Sequence, residues 1–195
     1  MPGFSIGLTV RDNVTNWLKR ALPFFRQHGR NLANELRYHA LREASRLVFE
    51  VYDVYQPKVY ARTFQLMEGI HAYGVYRGAL TLDVGLYNTA VNRDPQMGQM
   101  FFPYPSVVEL GQGEDAKSID QVVATVSRAM GKSQTGVFVR FSGEYGWRRM
   151  PPRPHMIPAI VATGNYLYYN RLGRVIDAWA NRFDKPETRK IRLAR

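Results

Sequence analysis

Three prolines in four residues, Pro151, Pro152 and Pro154, restrict this 195-residue chain more than any other stretch. Each proline fixes φ and lacks an N–H, so the run is neither interior helix nor central strand. It must be extended. Pro158 stands where a helix begins, and an apolar, aromatic run follows to about Phe183. The spacing predicts a rigid corner, Pro151 to Gly164, that aims a last helix over 158–183, weakened by Gly164 and Gly173. The corner holds no residue set that catalysis needs, and His155 within it reads as a packing or hydrogen-bonding residue.

Upstream, Leu32, Leu36, Ala40, Ala44, Leu47, Val51 and Val54 recur every three or four residues, which predicts a helix over 31–54 with one buried face. Arg37, Arg42, Glu43, Arg46 and Glu50 fall mostly off that stripe. Before it, residues 1–11 read as an arm and Val14 to Leu22 as a short helix ended by Pro23. His28-Gly29-Arg30 reads as a turn, and Pro57 closes the long helix. The period then changes to that of β-structure. His71–Arg77 and Ala79–Val91 predict two strands joined at Arg77-Gly78. Residues 92–103 read as a loop, 114–134 as a helix stopped by Gly131, and 136–142 as a strand.

The expected class is α+β. A long N-terminal and a C-terminal helix pack on a small, mostly antiparallel sheet, with projecting loops and arms. A single domain covers 1–195: an arm and short helix at 1–30, a core at 31–183 with an insert at about 114–150, and a basic tail at 184–195.

With 27 basic against 16 acidic residues the chain carries +11, which points to an acidic partner such as nucleic acid, an acidic protein surface or anionic lipid. Cysteine is absent, which removes disulfides and thiolate metal sites. MPGFSIGLTVRDN does not read as a secretory signal, and no stretch is apolar for long enough to span a bilayer.

GQGEDA at 111–116 fits a dinucleotide pattern, but the acidic partner for a ribose is missing and Glu114 and Asp115 would repel phosphate. A turn on Gly111 and Gly113 accounts for it better. The GKS triplet at 131–133 lacks its leading glycine, because position 126 is Val126. The four histidines have no metal-ligand spacing. No enzyme, cofactor or metal is expected. Tyr145 to Arg153 has two readings that stay open, phosphate contact or an arginine-rich subunit interface, and the basic tail shares them.

Three separated pieces resemble one family. Tyr55-Gln-Pro57-Lys-Val-Tyr60-Ala-Arg62-Thr63-Phe-Gln-Leu66 is similar to the Tyr-x-Pro-x-x-Tyr-x-Arg-Thr-x-x-Leu stretch of tail-completion and head–tail joining (neck) proteins of long-tailed bacteriophages. Tyr104-Pro-Ser-Val-Val108-Glu109-Leu-Gly111 resembles their Tyr-Ala-x-x-Val-Glu-x-Gly element. Pro152-Arg153-Pro154-His155-Met156-Ile157-Pro158-Ala159 resembles their Arg-Pro-Phe-(aliphatic)-x-Pro-Ala lead into the last helix, with His155 in place of Phe. The resemblance implies a virion structural protein made in the host cytoplasm and placed in the neck, at the head–tail junction. It implies a homo-oligomeric ring, expected as a hexamer. Such a ring completes or terminates the tail tube, or joins it to the head-closure or adaptor complex, and DNA passes through its lumen. Candidate interface or DNA-facing residues are Arg148, Arg149, Arg153, Lys185, Arg189, Lys190 and Arg192. The alternative is a stand-alone basic nucleic-acid-binding protein. Neither reading involves a membrane.

Overall fold

A computed structural model describes residues 15–54, 65–78, 81–90, 104–143 and 149–183. The chain is α+β, as its periodicities predict. Helix α1 (Thr15–Val54) is followed by a single turn α2 (Gln65–Glu68) and an antiparallel hairpin of β1 (Ile70–Tyr76) and β2 (Leu82–Asn88). Next come α3 (Tyr104–Leu110), a 3-10 turn at Gly113–Asp115 and α4 (Ile119–Met130). The last helix runs without a break through α5 (Met156–Tyr166), a π-helical stretch (Leu167–Arg171) and α6 (Leu172–Phe183).

These elements stack in the order hairpin, α1, α5, α4. One apolar cluster joins Ala44, Leu47, Val48 and Val51 of α1 to Leu66, Leu86, Val108, Ala159 and Ile160. A second packs Leu32 and Leu36 on Leu82, Val84 and Leu167. A third seats Val122, Val126 and Met130 of α4 on Ile157 and Ala162 of α5. Helix α4 therefore covers the side of α5 turned away from α1.

Helix α1 corrects the sequence reading at its N-terminal end. Neither Pro23 nor His28-Gly29-Arg30 interrupts it; it is helical from Thr15. Gly29 is there for packing, because a Cβ on it would lie 2.6 Å from Cε2 of Tyr76. One turn on, a Cβ on Gly74 would overlap the carbonyl of Ala33. The first strand thus comes against the helix backbone at Gly74, while Gly29 makes room for the Tyr76 ring. On the outer face of the hairpin Tyr73 lies over Gly85, its cross-strand partner. The turn at Gly78 has φ +84° and is closed by Arg77 N–H donating to Thr81 O at 2.9 Å.

The expected strand at 136–142 is a second correction. Among the described residues it joins no ladder, and the sheet pairs β1 with β2. Its first residue is held by side chains instead. Gly136 N–H donates to Oε2 of Glu43 at 3.0 Å, and Arg46 donates to Gly136 O. Glu43, read from its spacing as lying off the buried stripe, is in fact buried. Phe138 packs toward the first cluster and Val139 and Phe141 toward the third, so the alternation serves two cores. Helix α4 starts at Ile119, later than the predicted 114, because Ser118 and Gln121 form a reciprocal capping box. Gly131 ends it, as expected, with φ +53°.

The two kinds of glycine separate on substitution. Gly74→Ala is expected to lower the unfolding free energy by about 2 kcal/mol. Gly173, in a helix with open space around its Cα, is expected to gain about 0.5–1 kcal/mol as Ala. Urea unfolding of the two variants checks this, and equal midpoints would contradict it.

Candidate functional site: a corner capped by Glu109

The corner at 151–158 is buried at every position except Met156, which is half-buried. Burial makes each backbone N–H a liability unless it finds an acceptor. Prolines 151, 152, 154 and 158 have no N–H, which leaves four donors, and α3 takes all of them. Arg153 N–H donates to Val108 O at 2.7 Å. The Glu109 carboxylate takes the rest: Oε1 accepts from the N–H of His155 at 2.9 Å and of Met156 at 2.7 Å, and Oε2 from Ile157 at 3.3 Å.

A helix leaves its first four N–H groups without an intrahelical partner. Here three are capped by a carboxylate 46 residues upstream (109 to 155), and the fourth position is Pro158. The negative charge also sits at the positive end of the helix dipole.

His155 completes the corner. Its ring is fully buried, with Nδ1 2.7 Å from Oε1 of Glu109. Burial pushes the Glu109 carboxyl up, but the His155 ring and the two shortest backbone N–H bonds outweigh it and hold the pKa below the usual carboxylate value. The packing and hydrogen-bonding role expected for His155 is what the structure gives. The carboxylate and the imidazole form a buried pair among the described residues.

The surrounding chain is clasped to the corner. Gln112 and Met150 exchange backbone hydrogen bonds at 2.7 and 3.0 Å. Gly111 has φ +81°, and a Cβ there would lie 2.5 Å from Met150 O and 3.0 Å from Pro152 N. Gly111 and Gly113 therefore shape a turn that lets 150–152 approach, in line with the turn reading of GQGEDA.

The structure gathers several residues marked by the sequence. Tyr104 opens α3, Glu109 and Gly111 form its capping end, and Pro154 and Pro158 are buried in the corner. Leu66 enters the same cluster as Val108, Ala159 and Ile160. Tyr55, Pro57, Tyr60, Arg62 and Thr63 lie outside the described residues, as do Arg148, Lys185, Arg189, Lys190 and Arg192. Arg149 is exposed and ion-paired with Glu114. Arg153 is a correction: it is only 2% exposed, folded beneath the clasp with Nη2 2.7 Å from Sδ of Met150, and is not a surface group of the subunit.

Sequence reasoning passed over a second polar seam, between α1 and the last helix. Tyr166 Oη donates to Oε1 of Glu35 at 2.5 Å, and Arg171 donates to Oε2. Burial raises the Glu35 pKa, but Arg171 and Tyr166 hold it below the ordinary value. His39 stacks on Tyr166 with ring centroids 4.4 Å apart. Its Nδ1 lies 3.0 Å from Oγ1 of Thr163, whose own proton goes to Ala159 O. Glu35, Tyr166 and Arg171 come from distant positions, and no local spacing links them.

Comparison with protein-family models, curated proteins and solved structures finds no match to this chain. Among the described residues no helix is long and apolar enough to cross a membrane, and no three His, Cys, Asp or Glu side chains form a metal-sized group.

Glu109→Gln removes the charge while keeping the shape. It is expected to cost about 3 kcal/mol, since the cap is buried and charge-assisted. The sign of the pH dependence follows from the lowered carboxyl. Its contribution is present above the unfolded value of 4.5 and is lost as pH falls through the folded value. Urea unfolding between about pH 6 and pH 3 should show a shallower acid limb in the variant than in the wild type.

Proposed function

We propose that the chain is a structural subunit of a bacteriophage neck, forming a ring at the head–tail junction that completes the tail tube or joins it to the head-closure complex. The observation that supports the reading is that two of the stretches that resemble neck proteins, 104–111 and 152–159, meet in the fold. The 104–111 piece caps the 152–159 piece through Glu109, and Leu66 of the first piece enters the same core. Two pieces far apart in sequence thus meet around one corner, which is what a shared scaffold would need.

The role is geometric. The corner sets the direction of the last helix, and ring closure needs two different surfaces on each subunit. Arg149, exposed beside the clasp, is a candidate for one of them. The ring is a hexamer in this reading, and it encloses a DNA path.

Negative-stain imaging and native mass spectrometry of the full chain at micromolar concentration test it. Rings of uniform subunit number, or incorporation of the chain into tailed particles, are the expected outcome. A strictly monomeric protein that is absent from purified particles would sink the proposal.

A further inference from the structure

The charge on α1 is concentrated in one place. Thr15–Asn34 contains Lys19, Arg20, Arg26 and Arg30 and no Asp or Glu. Arg26 and Arg30 are four residues apart, hence on one face, and both are exposed. Among the described residues neither meets a carboxylate. Arg42, Arg46, Arg77, Arg149 and Arg171, by contrast, each do. Glu35, the next acid along the helix, is taken up by Tyr166 and Arg171.

Position adds to charge. The end of β1 reaches α1 at Gly29, where Tyr76 packs, so residues 15–28 continue about 20 Å past the hairpin contact. From these observations we infer that the N-terminal half of α1 is a docking arm for duplex DNA, with Arg26 and Arg30 on its phosphates. Arginine pairs with phosphate oxygens through a planar fork, and a straight helix holds successive arginines at about 6 Å along its axis. An anionic bilayer fits less well. An interfacial helix needs an apolar face free to enter lipid, whereas Phe24, beside Arg26 in the projecting part, is already buried in the protein.

The inference takes its setting, a DNA path, from the neck reading, but it places the contact on α1 and away from the clasp and the tail. Its test therefore separates the two. Fluorescence anisotropy with a labelled duplex of random sequence is measured for the full-length wild type, for Arg26→Gln/Arg30→Gln and for Arg128→Gln/Arg140→Gln. The last pair removes the same charge from α4 and the extended segment. Circular dichroism confirms that each variant is folded.

Wild-type binding should weaken steeply with salt. The α1 variant should bind about tenfold more weakly at low salt, with a log–log salt slope smaller by about 1.8 for two lost phosphate contacts. The control pair should change much less. Equal losses in both variants, or duplex binding untouched by the α1 substitutions, overturn the inference. So does Arg26/Arg30-dependent binding to phosphatidylserine vesicles or polyglutamate without binding to duplex. Ring formation is scored separately on the same samples. Duplex binding through α1 by a chain that forms no rings upholds the arm and removes the ring. Rings from a chain whose α1 ignores duplex do the reverse.

Discussion

One buried carboxylate organises the second half of this protein. The corner at 151–158 enters the interior with four N–H donors, and an unmade hydrogen bond there costs about 1–3 kcal/mol. Glu109 answers three of them and Val108 the fourth. The prolines are then less a source of rigidity than a way of deleting donors that α3 has no acceptor left to meet. The direction of α5, and with it the π-helical stretch and α6, follows from where that carboxylate sits.

The first half depends on contact distance. Gly74 lets β1 approach the backbone of α1 and Gly29 receives the Tyr76 ring, and a hairpin of two strands gains its stability from that layer and not from its own ladder. The two halves share α1. It carries the hairpin on one side and α5 on the other, and Glu43 and Arg46 reach from it to fix the extended segment at Gly136.

Much of this was legible in the sequence where one face of an element decides its fate. The Leu32–Val51 stripe, the β-rich runs flanking Gly78, and the Val122–Met130 stripe closed by Gly131 each carry a local period, and each is found. The misses are places where a residue answers to something distant in sequence. Pro23 and Gly29 look like stops, but Gly29 serves Tyr76 and the helix passes through both. The 136–142 run alternates like a strand because it lies between two apolar clusters, not because it pairs. Arg153 looks like a surface base until the clasp closes over it. The role of Glu109 as a cap needs its partner segment, which no reading of 104–111 alone supplies, although an acidic residue marked beside a proline-led helix was the available signal.

The bridge between Gln112 and Met150 has a consequence for how such a chain changes over time. From Gln112 the chain lays α4 on α5, passes Gly136 held by α1, and comes back to the bridge at Met150. The closing entropy of such a loop rises by only about 0.6 kcal/mol for each doubling of its length. Residues can be added at its exposed turn, Gly131 and Lys132, while the Gln112–Met150 bridge and the core face of α4 keep their places. New surface can thus be tried at that turn while the Glu109 cap, which lies outside the loop, goes on aiming the final helix.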